Sequence, residues 1–224
     1  MDFFEMQQFI TADKSIIEYI LHKVRGKAIR YKRRNRLYLQ KEKMYIVSEG
    51  VFIRKVGGRQ KTGVEFLDDS TVLLEYFYRT IDSEIIALTA SEVIELDANE
   101  VIDVLEKGEV LSVLLFYILE QSLINRYYFE RQFDFSCGDR VALFLKEAAR
   151  RFGKKAEQGV LLPKFLTIQL IASYCCCSRG IVAETLNLFR RQELLSQYES
   201  YWYIHDIEAF HHATDRNTEV SPII

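Results

Sequence analysis

Hydrophobic and polar positions change rhythm twice along the chain. Near the start, Phe4, Ile10, Ile16, Ile17, Ile20 and Leu21 stand among polar positions, which predicts one or two short helices. From Ala28 to about Leu96 the texture is short runs rich in Tyr, Val, Ile and Phe, among them RLYLQ, MYIVSEGVFIRKV, GVEFL, EIIALTA and EVIEL, separated by turn residues. Several short strands at close spacing predict a small sandwich or barrel, with Gly57-Gly58 marking a hairpin and Gly50 a bend. Asp97 then offers a helix cap, with Val101, Val104 and Leu105 at helical spacing until Gly108 interrupts.

From about Glu109 to Phe133 no glycine or proline occurs, so the spacing predicts one helix about 37 Å long. Its first half, VLSVLLFYIL, is apolar nearly all round and has to be covered on both sides. The barrel covers one side; the other calls for a second copy of the chain. A heptad-like seam through Leu111, Leu114, Ile118, Gln121, Asn125 and Tyr128 is the expected dimer interface, its polar members fixing register.

The last third is helical again, in short pieces. Ser136 and Asp139 form a capping box that opens DRVALFLKEAARRFG, which Gly153 closes behind Arg150 and Arg151. A polar hairpin follows. Thr167 then caps a helix with Leu170, Ile171 and Tyr174 facing inward and Ala172 at a close approach. A turn falls near Cys176–Cys177. Ser178 caps a second helix with Ile181, Val182, Thr185, Leu186 and Phe189 inward. Two helices of this length about a short turn predict a helix-turn-helix, and LLSQYESYWYIHDIEAF supplies two strands of a wing. The expected fold class is α+β: residues 1–107 a barrel domain, 108–135 a dimerisation helix, and 136–224 a winged helix-turn-helix domain.

Composition alters this picture little; charge placement alters it more. The chain is 49% hydrophobic and 28% charged with a formal net charge of −2, an ordinary globular balance. Fourteen Lys or Arg fall between Lys23 and Lys61 against Glu42 and Glu49, while thirteen Asp or Glu fall between Thr62 and Glu109 against Arg79 and Lys107. Ser136 to Arg191 carries ten basic and four acidic residues, a net of +6 that favours a polyanionic partner for the helix-turn-helix. No apolar run approaches a bilayer span and the first residues lack a signal-peptide pattern, so a cytoplasmic protein without membrane association is expected. The cysteines, Cys137 and the run Cys175, Cys176, Cys177, fit no zinc spacing; they read as small core residues, with a redox role at the turn as the alternative. His22, His205, His211 and His212 lie in no nucleophile, metal or phosphate motif. No enzyme, cofactor or metal is predicted.

Thr167, Gln169, Cys177, Ser178 and Arg179 form the pattern T-x-Q followed eight residues later by C-S-R, and DRVALFLKEAARRFG matches an R-[LIV]-A-x-x-L opening. In both respects the chain resembles the Crp/Fnr family of bacterial transcription regulators. The resemblance implies a β-roll (a double-stranded β-barrel) as sensor, a long dimerisation helix, and a winged helix whose recognition helix, about Ser178–Arg190, enters the major groove. It makes Arg179 a base or phosphate contact and Thr167, Gln169 and Ser178 backbone contacts. Lys164, Arg190 and Arg191 join as phosphate candidates by charge, and Gly180, Ala183 and Glu184 fall within the same helix. Duplex DNA, a second copy and RNA polymerase are the implied partners, with a small-molecule effector left open. Two departures stand out in the helix: Gly180 where the family usually has Glu, and Glu184 where it often has Arg. Cys176 replaces the glycine common at the turn. The cyclic-nucleotide cassette is missing too, since Arg79-Thr80 has no Gly-Glu before it and its surroundings are acidic, so the effector is not cAMP. The alternative is a ligand-sensing or interaction module whose winged helix no longer reads DNA.

Overall fold

The computed structural model describes residues 14–58, 61–75, 83–131, 134–156 and 159–207. The helix expected near Phe4 and Ile10, and Arg79-Thr80, lie outside them. The chain divides into two compact units, Met1–Phe129 and Glu130–Ile224.

The first unit begins with helix α1 (Ser15–Lys23), followed by strands β1 (Lys27–Tyr31), β2 (Arg36–Leu37), β3 (Lys43–Glu49), β4 (Phe52–Gly58), β5 (Lys61–Leu67), β6 (Val72–Leu74), β7 (Ser83–Ala87) and β8 (Ser91–Asp97). They form two antiparallel four-stranded sheets, ordered β1-β8-β3-β6 and β2-β7-β4-β5. One apolar cluster contains Tyr45, Val47, Phe52, Leu67, Leu73, Ile85 and Val93. Gly50 turns β3 into β4 at φ +86, and a Cβ there would meet Ser91 Oγ at 2.3 Å, so the bend expected at this glycine is required by both conformation and space. Across the β4–β5 hairpin Arg54 faces Glu65 and the two form an ion pair.

Helix α2 (Ala98–Lys107) starts where the sequence predicts, the Asp97 carboxylate accepting from the N–H groups of Asn99 and Glu100. It ends at Lys107 with Gly108 as its C-cap, where the sequence places the interruption. Gly108 keeps a right-handed backbone, and the left-handed residue is Glu109 (φ 57), which allows Val110 N–H to reach Leu105 O at 2.9 Å.

The long helix α3 runs Leu111–Arg131. Its buried stripe holds Leu114 (2% exposed), Tyr117 and Ile118 (6%), packed with Ile16, Ile20, Met44, Leu96 and Leu105 of the same chain, and the Tyr117 hydroxyl donates to Ser70 O at 2.9 Å. This corrects the seam expected from the sequence. Leu114 and Ile118 fill the chain's own core, Leu111 packs against it, and Gln121 is half-buried. The side chains of Asn125 and Tyr128 lie outside the described residues. The outward face instead carries Phe116 (62% exposed), Leu119 (52%) and Leu123 (61%), flanked by Val113 and Leu115. Ser112, Phe116, Leu119 and Leu123 follow the alternating four-and-three spacing of a heptad seam.

The second unit contains α4 (Cys137–Phe152), β9 (Lys154–Ala156), β10 (Gly159–Leu161), α5 (Ile168–Tyr174), α6 (Arg179–Arg191), β11 (Leu195–Tyr198) and β12 (Tyr201–Ile204). The three helices pack on one another, and the strands form a single antiparallel sheet ordered β11-β12-β10-β9. Leu145, Leu162, Ile171, Cys175, Val182, Leu186 and Ile204 are among its fully buried side chains, and Trp202 donates its indole N–H to Leu166 O at 3.1 Å. The capping box at Ser136 is present: its Oγ accepts from Asp139 N–H and its hydroxyl meets the Asp139 carboxylate at 2.6 Å. Gly153 is the C-cap of α4 but has extended backbone; it is glycine because a Cβ would lie 2.3 Å from Ala149 O and from Val160.

Candidate nucleic-acid interface

The geometry of the second unit is decided by how α5 and α6 begin and meet. Thr167 Oγ1 accepts from Leu170 N–H and Ser178 Oγ from Ile181 N–H, each at 3.2 Å. Each hydroxyl thereby fills an acceptor role and keeps its own hydrogen for an outside acceptor such as a phosphate. Between the helices, Cys175 is the C-cap of α5, Cys176 is left-handed at φ 51, and Cys177 N–H closes back on Ala172 O at 3.0 Å. That is a Schellman ending with cysteine where glycine ordinarily stands. A left-handed non-glycine residue costs about 1–2 kcal/mol.

Arg140 holds this turn to α4, a role that the sequence reading did not assign. Its guanidinium donates to Phe135 O at 3.0 Å and to Cys175 O at 3.3 Å, while Cys175 Sγ donates to Arg140 O at 3.5 Å. Burial pushes the Cys175 thiol well up, so it stays protonated and able to donate. Ala172 and Cys175 are buried, as a close helix approach requires.

Helix α6 buries Val182, Thr185, Leu186 and Phe189, four of the five positions expected to face inward. The fifth does not. Ile181 is 40% exposed and lies with Gly180, Glu184, Asn187 and Leu188 on the outward face. Asn187 and Ile181 are thus the surface residues that sequence reasoning missed; Asn187, seven residues on from Gly180, shares its stripe and could have been found from that spacing, whereas nothing in the spacing marks Ile181. Asn can pair with adenine through two hydrogen bonds, and a branched apolar side chain suits a thymine methyl. On α5, Tyr174 is half-buried against Phe144, with ring centroids 4.7 Å apart.

Thr167, Gln169, Ser178, Arg179, Gly180 and Glu184 line the helix-turn-helix and are all exposed; Ala183, one turn on from Arg179, is half-buried, and Arg179 has no acidic partner among the described residues. Lys164 is less free: its ammonium lies 4.4 Å over the Tyr201 ring and 4.0 Å from Glu199, within the wing. Arg190 and Arg191 are exposed in the last turn of α6, about 17 Å along the axis from Arg179 at 1.5 Å per residue. Gly180 has open space around it, the nearest atom to a Cβ being Ser178 Oγ at 3.8 Å, so packing does not demand glycine. Gly180→Ala should therefore raise the melting temperature, by about 4 °C for a helix gain near 1 kcal/mol. Calorimetry of the two proteins checks it; an unchanged or lower value would mean that the glycine relieves strain.

The two units are an antiparallel double-sheet roll and a three-helix unit with a winged sheet. No family model and no curated protein matches the chain. Solved structures match nearly its full length. A CooA variant from Carboxydothermus hydrogenoformans has a TM-score of 0.69 at 17% identity over 92% of this chain and 94% of that one. The c-di-GMP responsive global regulator CLP of Xanthomonas campestris gives 0.67 at 16% identity, over 87% of this chain and all of that one. A CRP/FNR-family transcriptional regulator of Thermus thermophilus gives 0.67 at 14% identity, over 86% and 100%. The chain has the fold of these regulators. Among the described residues, no helix is long and apolar enough to cross a membrane.

Proposed function

We propose that the chain is a Crp/Fnr-type transcription regulator that binds duplex DNA as a homodimer, with α6 in the major groove. The observation that carries this reading is the outward face of a doubly capped helix pair: Thr167, Ser178 and Arg179 are exposed together, while the opposite face of α6 is buried. Arg179 reads a base edge, and Asn187 and Ile181 extend the readout. Thr167, Gln169, Ser178, Arg190 and Arg191 meet phosphates, with Lys164 joining from the wing base. Ala183, Gly180 and Glu184 lie on the same helix beside these contacts. RNA polymerase is the machinery on which such binding would act in the cytoplasm.

The second copy supplies the cover that the outward face of α3 lacks. Phe116, Leu119 and Leu123 are too apolar and too contiguous for open solvent, and their heptad spacing matches a parallel copy of the same helix. The effector is something other than a cyclic nucleotide, because residues 65–84 are acidic and carry no Gly-Glu cassette.

Glu184 on α6 favours a second reading, a protein-interaction module, since a carboxylate there repels phosphate. Salt titration of binding to duplex DNA separates the two. Neutralising about six phosphates gives a slope near −5 in log affinity against log salt. A slope near zero, or no binding at low salt, would leave the interaction module.

A further inference from the structure

All four cysteines of the chain come together at the turn between α5 and α6. Cys137, the first residue of α4, is 40 residues from Cys177 in sequence, yet Cys177 Sγ lies 3.9 Å from Cys137 O, while it donates to Cys175 O at 3.2 Å. All four are free thiols. They are not equivalent. Cys175 is fully buried and its Sγ is engaged with Arg140 O; Cys176 Sγ is directed to Ser173 O at 4.0 Å; Cys137 and Cys177 are partly exposed, and Cys177 Sγ reaches the backbone of Cys137. Adjacent cysteines bridge poorly for reasons of backbone geometry, which leaves Cys137–Cys177 as the pair placed to react.

Each member sits beside a helix cap. Cys137 follows Ser136, the cap of α4, and Cys177 precedes Ser178, the cap of α6. A bond between them would tie the two helix starts directly. A disulfide closes two sulfurs to about 2.05 Å, nearer than unbonded thiols can lie. The backbone at Cys177 and Ser178 then has to move by on the order of 1 Å. The neighbouring Cys176 already holds a left-handed backbone, so the turn has little slack to absorb the shift.

We propose that Cys137 and Cys177 form a reversible disulfide that displaces the start of α6 and so lowers affinity for DNA, a regulation that rests on the DNA-reading function proposed above. The oxidant is a low-molecular-weight disulfide such as oxidised glutathione. The Cys137 thiolate attacks it, forming a mixed disulfide and releasing one reduced thiol. Cys177 sulfur then attacks the Cys137 sulfur, its proton leaving with the second reduced thiol. Two protein thiols are oxidised and one small disulfide is reduced to two thiols. Burial and the Cys137 thiol push the Cys177 thiol up to about 12, so little of it is thiolate at neutral pH and ring closure is the slow step, speeding up as pH rises.

The test uses the full chain, equilibrated in glutathione buffers of graded ratio, alkylated, digested and mapped by mass. The expected result is a linked peptide pairing Cys137 with Cys177, absent in C137S and in C177S and retained in C176S. Oxidation should lower affinity for a duplex enriched from a random pool by about tenfold or more in the wild type and leave C137S unchanged. Amide exchange across residues 178–182 should quicken in the oxidised wild type alone. A missing link, or a link that uses Cys176, overturns the proposal. So does a correct link that changes neither exchange nor affinity. A correct link with faster exchange, in a protein that binds no duplex in either state, supports the switch and sinks the DNA reading.

Discussion

Arg179→Ala should abolish sequence-specific DNA binding while leaving the fold untouched. The side chain is exposed at the first turn of α6 and has no acidic partner among the described residues, so its removal leaves no buried group unsatisfied. A bidentate arginine–guanine contact is worth about 1–3 kcal/mol of discrimination. In a dimer the loss is counted twice, which predicts an affinity decrease of at least about thirtyfold. Fluorescence anisotropy on an enriched duplex measures it, beside a thermal melt. A variant that binds as tightly as the wild type, with the same site preference, would remove Arg179 from the readout and with it the alignment of α6 on the groove.

Leu119→Asp should convert a dimer into monomers. Burying a leucine is worth about 1.5–3 kcal/mol, and an unpaired carboxylate in its place adds a desolvation cost in both copies. The dissociation constant should rise by about a thousandfold or more, readable by analytical ultracentrifugation. Leu114→Ala is the contrasting substitution. Leu114 is buried within its own chain, so its truncation should cost about 2–5 kcal/mol of fold stability and leave the association state alone. If Leu114→Ala dissociates the dimer and Leu119→Asp does not, the seam runs where the spacing first suggested and not along the face the structure leaves open.

That contrast shows where sequence reasoning stops. Caps were legible because a single side chain at a fixed offset makes them: Asp97, Ser136, Thr167 and Ser178 each accept from a backbone N–H in the structure. The inward positions of α6 were legible for a similar reason, since one buried face repeats every three to four residues. Ile181 is the exception, an apolar residue placed outward. Helix α3 gave no such contrast. With apolar residues on every side, periodicity alone cannot say which stripe meets the barrel, and the seam was drawn through the stripe that the chain buries itself.

Helix endings fall where the sequence places them, at Gly108, Gly153 and the cysteine turn, but the left-handed residues after α2 and α6 were not legible. The left-handed positions after α2, α5 and α6 are Glu109, Cys176 and Glu193, none of them glycine. Gly153 is glycine for want of space instead. Cys176 is the case where an expectation of strain, made from the residue type at the turn, meets an observed left-handed backbone. The approach of Cys137 to that turn could not be read from a chain of 224 residues, because nothing local in the sequence joins positions so far apart. The +6 block from Ser136 to Arg191 pointed to a polyanion but not to a face. The structure sorts it, setting Lys164 against Tyr201, Arg140 under the turn and Arg179 outward.

The central claim, that the outward face of α6 reads duplex DNA, is tested most directly by selecting binding sites from random double-stranded DNA with the reduced full-length protein. A dimer that inserts two recognition helices should enrich a two-fold symmetric site with half-sites about 34 Å apart, one helical turn of DNA. The same selection with Arg179→Ala should lose that site. Enrichment of nothing, or of a sequence without two-fold symmetry that the variant enriches equally, would contradict the account.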